Sequence, residues 1–376
     1  MRVVVLGAGF GGLELTTLLS DEFGADLDLV LIDQADGFIF GFSKLDVMFG
    51  RATADEVVHR YRDLDKPGVR FVRATIRSID PIGKRVTTSD GDFDADILVV
   101  ALGADLDAAA IPGLVEFGHE FYTPQGAFIA RDALANFRGG HVVVGVTSTP
   151  FKCPPAPSET VLLMHDLVTD RGLLASSTLS LVSPLPAPIP PSPEASAALL
   201  EEFARRNIAW HPERLVRYVD GHRRVLSLAD GGELPFDLFL AVPPHRAPGV
   251  VLESGLAVDG WVPVDPLTME TSFPGVFAVG DVTSVGTPKA GVFAEGQAVV
   301  AAARIAALLR GEVPSATYDG RGICYLEFGH GEVAVVDVMF RSGERPVGAM
   351  QGPSLELAQD KAAFGATRVS RWFGAG

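Results

Sequence analysis

The N-terminal segment RVVVLGAGFGG restricts the fold of this chain more than any other stretch. It reads as a buried strand that runs into a helix, with Gly7, Gly9 and Gly12 forming a GxGxxG pattern at the turn. In such a turn the first glycine permits the tight bend, the second lets a pyrophosphate approach the backbone, and the third lets the helix pack closely. The phosphates then meet free N–H groups at the positive end of the helix dipole. The segment therefore predicts a dinucleotide-binding unit.

Further residues support a ligand rather than a glycine-rich turn without one, which is the alternative. The segment LDLVLID reads as a second buried strand and ends on Asp33, about 20 residues after the glycines, where a ribose-binding carboxylate is expected. A third strand, ILVVALGA, ends near Gly103, which we also assign to the cofactor site.

The segment TSFPGVFAVGDVTSVG resembles the second FAD fingerprint of flavoproteins with two dinucleotide-binding domains. In that fingerprint the aspartate after glycine, here Asp281 after Gly280, holds the ribityl chain. Together the two motifs indicate FAD. The helix that follows has its N-terminus near Gly291, which can direct N–H groups at the negative charge of a reduced flavin. We also assign Lys289 and Val292, on either side of this start, to the cofactor site. The alternative is an ordinary core helix.

The chain also contains a weak internal repeat. RVVVLGAGFGG pairs with HVVVGVTSTPFKC, and RVTTSDGDFDADILVVALGA pairs with RVLSLADGGELPFDLFLAVPPH. In the second copy Thr147 and Pro150 stand where the first has glycines, and its next strand ends at Ser183 without an acid or a base. The second unit is therefore not expected to bind NAD(P)H well. Its loop carries Cys153 instead.

Several segments carry a family resemblance, namely TPFKCPPAPSE, FYTPQGA, SPLPAPIPPSPEAS, AVPPHRAPGVV, GVFAVGD, PKAGVFAEGQ and ICYLEFG. Through them the chain resembles, nearly end to end, the sulfide:quinone oxidoreductases and the flavoprotein subunit of flavocytochrome c sulfide dehydrogenases. The resemblance implies a redox-active pair, Cys153 and Cys324, that accepts sulfide. Hydrosulfide would attack their disulfide, with Cys153 as the persulfide carrier and Cys324 as the thiolate that contacts the flavin. Electrons would pass to FAD and then to a quinone or a small electron carrier.

The resemblance also implies an α/β fold with two Rossmann-like domains, arranged as in glutathione reductase, and a C-terminal extension. A chain of 376 residues with 47% hydrophobic content is long enough for both domains. We assign 1–105 and 241–312 to the FAD domain and 106–240 to the second, degenerate domain. Residues 313–376 then form a hairpin and a helix over the flavin.

Two departures from the family bear on the chemistry. The flavocytochrome subunits attach their flavin through a cysteine, and GFIFGFSKLD contains none, which implies non-covalent FAD. Many quinone-linked members carry a third cysteine, which this chain lacks. Two cysteines are too few for a zinc site with paired ligands or a disulfide scaffold. The remaining alternative is that both are small hydrophobic residues, with Cys324 on a hairpin that turns at 329–331.

Four other residues are candidates for supporting roles. Lys152 and Lys289 are cations that can lower the pKa of a reactive thiol, and the alternative is that they are solvated surface lysines. Glu159 and His245 are candidate proton carriers. For His245 we favour a place at the hinge between domains, because two prolines precede it.

The overall charge and the chain's start bear on partners and location. A net charge of −16 without a basic run argues against a nucleic-acid surface. The N-terminus lacks the pattern of a signal peptide, and no uninterrupted apolar stretch approaches bilayer length. We therefore expect a cytoplasmic protein, with at most weak peripheral contact with the inner face of the membrane. The sequence leaves the oligomeric state open.

The C-terminal segment SLELAQDKAAFGATRVSRWFGAG predicts a helix with one apolar stripe. The residues of the stripe are Leu355, Ala358, Ala362, Ala366, Val369 and Phe373. We expect this helix to dock on the protein. The alternative is a membrane foot, in which the aromatic residues Trp372 and Phe373 lie beside the basic residues Arg368 and Arg371 at a lipid surface.

Two rival functions remain for the whole chain. One is a pyridine-nucleotide-dependent flavoprotein of the type II NADH dehydrogenase kind, which the degenerate second loop disfavours. The other is a flavin-binding sensor without turnover, which the two cysteines at the family's positions disfavour.

The cofactor prediction can be tested on the purified protein. We expect it to be yellow and to release FAD into the supernatant when denatured, because the linking cysteine is absent. Neither NADH nor NADPH should bleach the flavin, because the second phosphate loop is lost. Rapid bleaching by NADH in an absorbance assay would contradict this.

Overall fold

Two parallel five-stranded sheets organise the chain in the computed structural model, which describes residues 1–374. The strands of the N-terminal part are β1 (Arg2–Leu6), β2 (Asp28–Asp33), β3 (Gly37–Phe38), β4 (His59–Arg60), β5 (Val69–Arg73), β6 (Ile76–Asp80), β7 (Arg85–Thr88), β8 (Gly91–Asp94), β9 (Ile97–Val100) and β10 (Asp105–Leu106). Those of the remainder are β11 (His119–Glu120), β12 (Gly140–Val146), β13 (Ser177–Val182), β14 (Ile208–His211), β15 (Val216–Asp220), β16 (Val225–Leu228), β17 (Glu233–Pro235), β18 (Leu238–Val242), β19 (His245–Arg246), β20 (Val276–Ala278), β21 (Arg321–Gly329), β22 (Glu332–Met339) and β23 (Val347–Ser354).

Helices cover the sheets and connect their strands. They are α1 (Phe10–Phe23), α2 (Ser43–Met48), α3 (Ala54–Val57), α4 (Leu114–Phe117), α5 (Pro124–Asn136), α6 (Ala156–Asp170), α7 (Pro193–Arg205), α8 (Gly249–Glu253), α9 (Gly291–Arg310) and α10 (Leu355–Phe373). The first sheet has the order β20-β9-β1-β2-β5. Its strands are nearly all apolar because α1 and α9 pack on one face, and β6, β7, β8 and α8 pack on the other.

The second sheet repeats the first. Its order is β11-β18-β12-β13-β14, so that β12 takes the place of β1 and β18 the place of β9. Each unit also carries a three-stranded antiparallel sheet, β6-β7-β8 in the first and β15-β16-β17 in the second. The internal repeat expected from the sequence is confirmed, and so is the α/β class with two Rossmann-like sheets.

The strands of each sheet come from the segments expected. Those of the first lie within 1–105 and 241–312, and those of the second lie within 106–242. Strand β18 runs across the expected boundary at 240, because its whole length pairs with β12. The chain passes between the units through the antiparallel pair of β10 and β19. The exact domain limits stay a prediction.

The C-terminal extension adds the antiparallel sheet β21-β22-β23 and helix α10. The hairpin turns between Gly329 and Glu332, as expected, and Cys324 pairs with Val336 across it. Contacts between α6 and β21 bring this sheet against the helix that follows the Cys153 loop.

Helix α9 is long and apolar enough to cross a membrane by length and composition, which the sequence analysis did not anticipate. Half of its most apolar window is buried inside the protein. Its buried residues, such as Ala298 and Ile305, belong to the core between α9 and the first sheet. This arrangement is that of a core helix.

Helix α10 docks on the protein, but with a different face from the one expected. Leu355, Ala362 and Ala366 of the expected stripe are exposed, whereas Trp372 is fully buried. The reason lies in the docking surface, which presents the buried carboxylate of Glu14 on α1. This carboxylate accepts a hydrogen bond from the Trp372 indole N–H at 2.7 Å.

The groups expected in a membrane foot make contacts within the protein instead. Arg371 pairs with Glu14, and Arg368 pairs with Glu295 on α9 at 2.8 Å. Phe373 is buried as well. The aromatic and basic groups that would meet lipid are therefore used within the protein. Residues 375 and 376 of the expected tail lie outside the described residues.

Replacing Trp372 should detach this helix. Trp372→Ala removes a fully buried indole, a change that costs about 3–5 kcal/mol in other cores. We expect amide hydrogen exchange across residues 355–373 to speed up strongly. Leu355→Ala, on the same helix at a side chain 63% exposed, is the control and should change nothing. A helix still protected in Trp372→Ala would show that docking depends on other contacts.

Candidate active site

The glycine loop between β1 and α1 has the geometry of a phosphate-binding turn. Gly7 has a φ of 97°, and a Cβ there would lie 2.4 Å from the carbonyl oxygen of Ala101. A Cβ at Gly12 would lie 1.8 Å from the Gly7 oxygen, so the helix and strand pack too closely for a side chain. Gly9 differs, because no atom lies within 4 Å of its Cβ position. Gly9 lies just before α1, and no side chain caps the first N–H groups of this helix. Those N–H groups and the open space beside Gly9 can therefore receive an anion.

Asp33 lies beside this loop at the end of β2. Its Oδ2 accepts the Ala8 N–H and its Oδ1 accepts the Ala35 N–H, both at 2.8 Å. These bonds fix the carboxylate at the loop, and each oxygen keeps a lone pair for another donor. The residue is therefore positioned to accept a hydrogen bond from a ribose hydroxyl.

A cavity of about 310 Å³ opens next to the glycine loop. We call it the inner cavity. Of the site residues expected from the sequence, it is lined by Gly9, Gly103, Cys153, Gly280, Asp281, Val292 and Cys324, and also by Lys152 and Glu159. Gly7, Gly12, Asp33 and Lys289 lie outside its lining. Aromatic rings, including those of Phe10 and Phe42, form part of the wall.

The residues of the inner cavity fit FAD. The Asp281 carboxylate borders the cavity, burial raises its pKa, and it accepts no hydrogen bond from another residue of 1–374. Such a group matches the hydroxyl donors of a ribityl chain. The start of α9, at Gly291 and Val292, lies on the same cavity and supplies N–H groups for a flavin carbonyl.

Cys153 has an unusual backbone at this cavity. Its φ is 48°, in the left-handed region that non-glycine residues seldom adopt. Its N–H donates to the Lys289 carbonyl at 2.7 Å, and its carbonyl accepts the Ala156 N–H at 2.9 Å. Backbone strain of this kind persists where surrounding structure imposes it, most often at functional sites.

The electrostatics of the two thiols differ from the expectation. The Cys153 side chain is open to the cavity but lies deep in the protein, and burial together with the charge of Glu159 raises its pKa. The same two causes raise the pKa of Cys324 to about 12. The expectation of a depressed thiol pKa is therefore wrong for these surroundings, because the cost of burying a thiolate exceeds the attraction of nearby cations.

The expected cations have other tasks. The Lys152 ammonium donates to the Ala104 carbonyl at 3.0 Å. The Lys289 ammonium donates to the Asp281 carbonyl at 2.6 Å and lies 3.3 Å from the centre of the Trp261 ring. Both lysines are therefore more than solvated surface residues. Neither ammonium charge is among the main causes of the shift in the Cys153 pKa.

Sequence reasoning missed Lys44, which lines the inner cavity. Its ammonium donates to the Tyr122 carbonyl at 2.6 Å. Its charge lowers the Cys153 pKa, against the larger effect of burial, and its own pKa is lowered to about 8 by burial and by Lys152. The sequence around Lys44 carries no motif that indicates a role at the site. Only the tertiary fold brings α2, which contains Lys44, to the Cys153 loop.

Glu159 lies on α6 at the inner cavity, as its candidate role requires. Its Oε1 accepts the Glu327 N–H at 3.0 Å. Burial raises its pKa to about 7, although the charge of Lys361 acts in the opposite direction. A carboxyl group with this pKa can exchange protons near neutral pH.

His245 does not have the properties of a proton carrier. It is buried on β19, its Nδ1 lies 2.8 Å from the Pro243 carbonyl, and burial lowers its pKa to about 3. The ring is therefore neutral at ordinary pH. Its pairing with Leu106 in the strand pair between the two units agrees with the favoured place at a hinge.

Comparisons with known proteins agree with this site. Residues 171–304 match the family described as Pyridine nucleotide-disulphide oxidoreductase. The Mus musculus protein named Sulfide:quinone oxidoreductase, mitochondrial, is 24% identical over 351 residues, which cover 89% of this chain and 77% of that protein. The structure of the sulfide:quinone oxidoreductase from Aquifex aeolicus is 23% identical with a TM-score of 0.85, over 99% of this chain and 92% of that one.

A shorter match points to a second group of flavoproteins. A Staphylococcus saprophyticus protein named Type II NADH:quinone oxidoreductase is 31% identical over 121 residues. The match covers 32% of this chain and 30% of that protein, so it concerns only part of either.

The fold, the glycine loop and the inner cavity define an FAD-binding flavoprotein oxidoreductase. The chain is similar to the pyridine nucleotide-disulphide oxidoreductases over residues 171–304 and to proteins named sulfide:quinone oxidoreductase over most of its length.

The charge of Glu159 can be tested through the thiols. Glu159→Gln removes a negative charge that raises the pKa of both Cys153 and Cys324, so both thiols should ionise more readily. At pH 8, above the Glu159 pKa of about 7, iodoacetamide should alkylate them several-fold faster than in the wild type. At pH 6 the wild-type carboxyl is already protonated, and the difference should shrink. Mass spectrometry of each cysteine in the reduced protein gives the rates.

Asp170→Asn is the matched control for this experiment, since it removes an exposed charge from the end of the same helix. It should leave both alkylation rates unchanged. Slower alkylation in Glu159→Gln would contradict the sign of the effect and indicate that Glu159 takes the thiol proton itself.

Proposed function

We propose that this enzyme oxidises sulfide through a disulfide between Cys153 and Cys324 and passes the electrons through FAD to a quinone or a small electron carrier. One observation carries the proposal. Cys153, in the loop after β12, and Cys324, on β21, line the same two neighbouring cavities although they lie far apart in sequence. The left-handed backbone of Cys153 places this residue in the walls of both cavities.

The chemistry begins with hydrosulfide attack on the Cys153 sulfur. A new S–S bond forms there, the bond to Cys324 breaks, and its electron pair leaves on Cys324 as a thiolate. Glu159, whose pKa is about 7, accepts a proton when the sulfur substrate enters as H₂S. Lys44 stabilises negative charge at Cys153 when that thiolate is released. A further hydrosulfide then takes the outer sulfur from Cys153 as HSSH and leaves a Cys153 thiolate. Gly9, Asp33 and Asp281 would hold FAD, which would accept two electrons as the two thiolates re-form the disulfide.

The shape of the second unit supports sulfide over NADH as the electron donor. Helix α6 occupies the place that α1 has in the first unit, yet Pro155 caps it and Pro157 lies in its first turn. Proline has no N–H, so this helix start lacks donors that a pyrophosphate needs. Thr147, at the position equivalent to Gly9, is buried and bonds the Val242 carbonyl at 2.8 Å.

NADH oxidation is the second candidate function. The similarity of about a third of the chain to a protein named Type II NADH:quinone oxidoreductase favours it. The two candidates share the FAD site and the quinone acceptor and differ in the electron donor.

The remaining partners and the location stay predictions. The absence of a cysteine around Phe42 and Lys44 supports non-covalent FAD. The buried aromatic residues of α10 support a protein that needs no membrane foot to reduce a short-chain quinone. The cytoplasmic location has only the sequence argument behind it.

Serine variants of the two cysteines test the proposed function. Cys153→Ser and Cys324→Ser should each keep FAD and the wild-type circular dichroism spectrum but lose bleaching of the flavin by sulfide under anaerobic conditions. Each sulfur has a separate task in the exchange, so the loss should exceed 100-fold in either variant. Ser158→Cys is the control, because it adds a thiol next to Glu159 and keeps both native cysteines. Its rate of flavin bleaching by sulfide should stay within a few-fold of the wild-type rate.

The same titration separates the two candidates. If NADH bleaches the wild-type flavin and sulfide does not, the second candidate function replaces the first. Serine variants that are bleached by sulfide as fast as the wild type would show that the cysteines are ordinary buried residues.

A further inference from the structure

A buried carboxylate lies on the same strand as Cys324 and has no part in the chemistry described above. Glu327, on β21, follows Cys324 by one turn of the strand pattern and is 5% exposed. Its backbone N–H donates to Glu159 Oε1 at 3.0 Å. This bond ties the Glu159 carboxyl group, on α6, to the strand that carries Cys324. A group that exchanges protons with a sulfur substrate needs such a fixed place beside the thiols.

Two cations neutralise the side chain of Glu327. Its carboxylate accepts hydrogen bonds from the Arg51 guanidinium, with 2.8 Å between Nη2 and Oε1, and from the Lys361 ammonium. Lys361 lies on α10 and is 8% exposed. Burial opposes the ionisation of Glu327, but the two cations outweigh burial and lower its pKa. Glu327 is therefore ionised at ordinary pH.

Arg51 also pairs with a second carboxylate, that of Asp46, at 2.8 Å. We call the resulting group of two carboxylates and two cations the charge cluster, and its members are Asp46, Arg51, Glu327 and Lys361. The cluster is neutral as a whole, so ionisation of the neighbouring Glu159 adds a negative charge that nothing balances. A buried site disfavours such a charge. Burial is the largest cause that raises the Glu159 pKa, and Lys361 opposes it.

The other titratable groups that face Glu159 bring no charge of their own near neutral pH. Burial raises the pKa of the Cys153 and Cys324 thiols and of the Tyr122 hydroxyl, so all three are neutral there. The charges that act most strongly on Glu159 are those of the cluster, from Lys361, Glu327 and Arg51.

Lys361 reaches the cluster because α10 is docked on the protein. The helix has a separate anchor near its end, where the Trp372 indole N–H donates to Glu14 at 2.7 Å. Lys361 also lies 4.9 Å from the centre of the Phe42 ring, which lines the inner cavity. Its charge can therefore be removed while the anchor of the helix stays in place.

We propose that Glu327 and Lys361 are positioning residues for proton transfer at Glu159. Glu327 fixes the carboxyl group beside the thiols through its backbone N–H, and Lys361 offsets the Glu327 charge so that Glu159 can ionise. The inference rests on the proposed function, in which Glu159 accepts the proton of H₂S. It makes the docked C-terminal helix part of the acid–base chemistry of the site.

The two side chains act on Glu159 with opposite signs. Lys361→Met removes a positive charge, so ionised Glu159 becomes less stable and the pH at which it titrates rises. Glu327→Gln removes a negative charge, and the pH at which Glu159 titrates falls. For charges this close in a buried place, each shift should be about one pH unit or more.

Infrared spectroscopy across a pH titration of the FAD-loaded protein measures this directly. The carbonyl stretch of the protonated Glu159 carboxyl group is identified by its absence in Glu159→Gln. We expect a midpoint at about pH 7 in the wild type, a higher one in Lys361→Met and a lower one in Glu327→Gln. Equal midpoints in all three proteins would overturn the proposal, and so would two shifts in the same direction.

Three further variants separate the charge from general effects of substitution. Lys361→Arg keeps the charge and should restore the wild-type midpoint. Asp360→Asn on α10 and Glu332→Gln on β22 remove exposed charges next to the cluster's elements and should leave the midpoint unchanged. The same midpoint in Lys361→Met and Lys361→Arg would show that the proposal is wrong. Hydrogen exchange across 355–373 reports whether α10 stays docked in Lys361→Met, and if it does not, the direction of the Glu327→Gln shift decides.

The rate of flavin bleaching by sulfide gives a second readout. Glu159 accepts a proton only when it is ionised, so bleaching should slow as the pH falls through its pKa. The pH at which this happens should rise in Lys361→Met and fall in Glu327→Gln relative to the wild type.

The infrared titration needs no sulfide, which separates this inference from the proposed function. Midpoints that shift as expected, in a protein whose flavin sulfide does not bleach, would support the assigned charges and contradict the proposed function. Bleaching by sulfide in a protein whose midpoints do not shift would support the proposed function and overturn the roles of Glu327 and Lys361.

Discussion

The site depends on one hydrogen bond between the two nucleotide-binding units. The Cys153 N–H donates to the Lys289 carbonyl at 2.7 Å, and Lys152 and Lys289 form a parallel bridge around it. This contact joins the loop of the second unit to the segment just before α9 in the first. It holds Cys153 in its left-handed conformation at the boundary of both cavities. Together with the bond from the Lys152 ammonium to the Ala104 carbonyl, it fixes the position of the cysteine loop relative to the glycine loop.

The two cavities divide the chemistry between them. The inner cavity has the open N–H groups and the Asp281 carboxylate that fit FAD, and the neighbouring cavity, of about 390 Å³, has almost entirely apolar walls. Cys153 and Cys324 form part of the wall of each. A disulfide at this boundary would connect a substrate on one side with an electron acceptor on the other. Burial and the charge of Glu159 raise the pKa of both thiols, which disfavours free thiolates at this boundary.

The sequence alone predicted those features of the fold that a local residue pattern determines. Gly7, Gly9 and Gly12 predicted the turn because each glycine has a distinct steric reason, and the repeat predicted the second sheet. Lys44 escaped prediction because a tertiary contact alone brings it to the cavity. The docked face of α10 escaped prediction for a similar reason, since a buried carboxylate on another helix, Glu14, outweighs the apolar stripe. Hydrophobic periodicity reports where apolar residues fall along a helix and carries no information about such a partner.

A thiol count with peptide mapping tests most directly whether Cys153 and Cys324 form a disulfide. The holoprotein is oxidised with a quinone, denatured in the presence of an alkylating reagent, digested without reduction and examined by mass spectrometry. We expect no alkylated cysteine and one cross-linked peptide pair that contains Cys153 and Cys324. Two alkylated cysteines in the oxidised protein would contradict it.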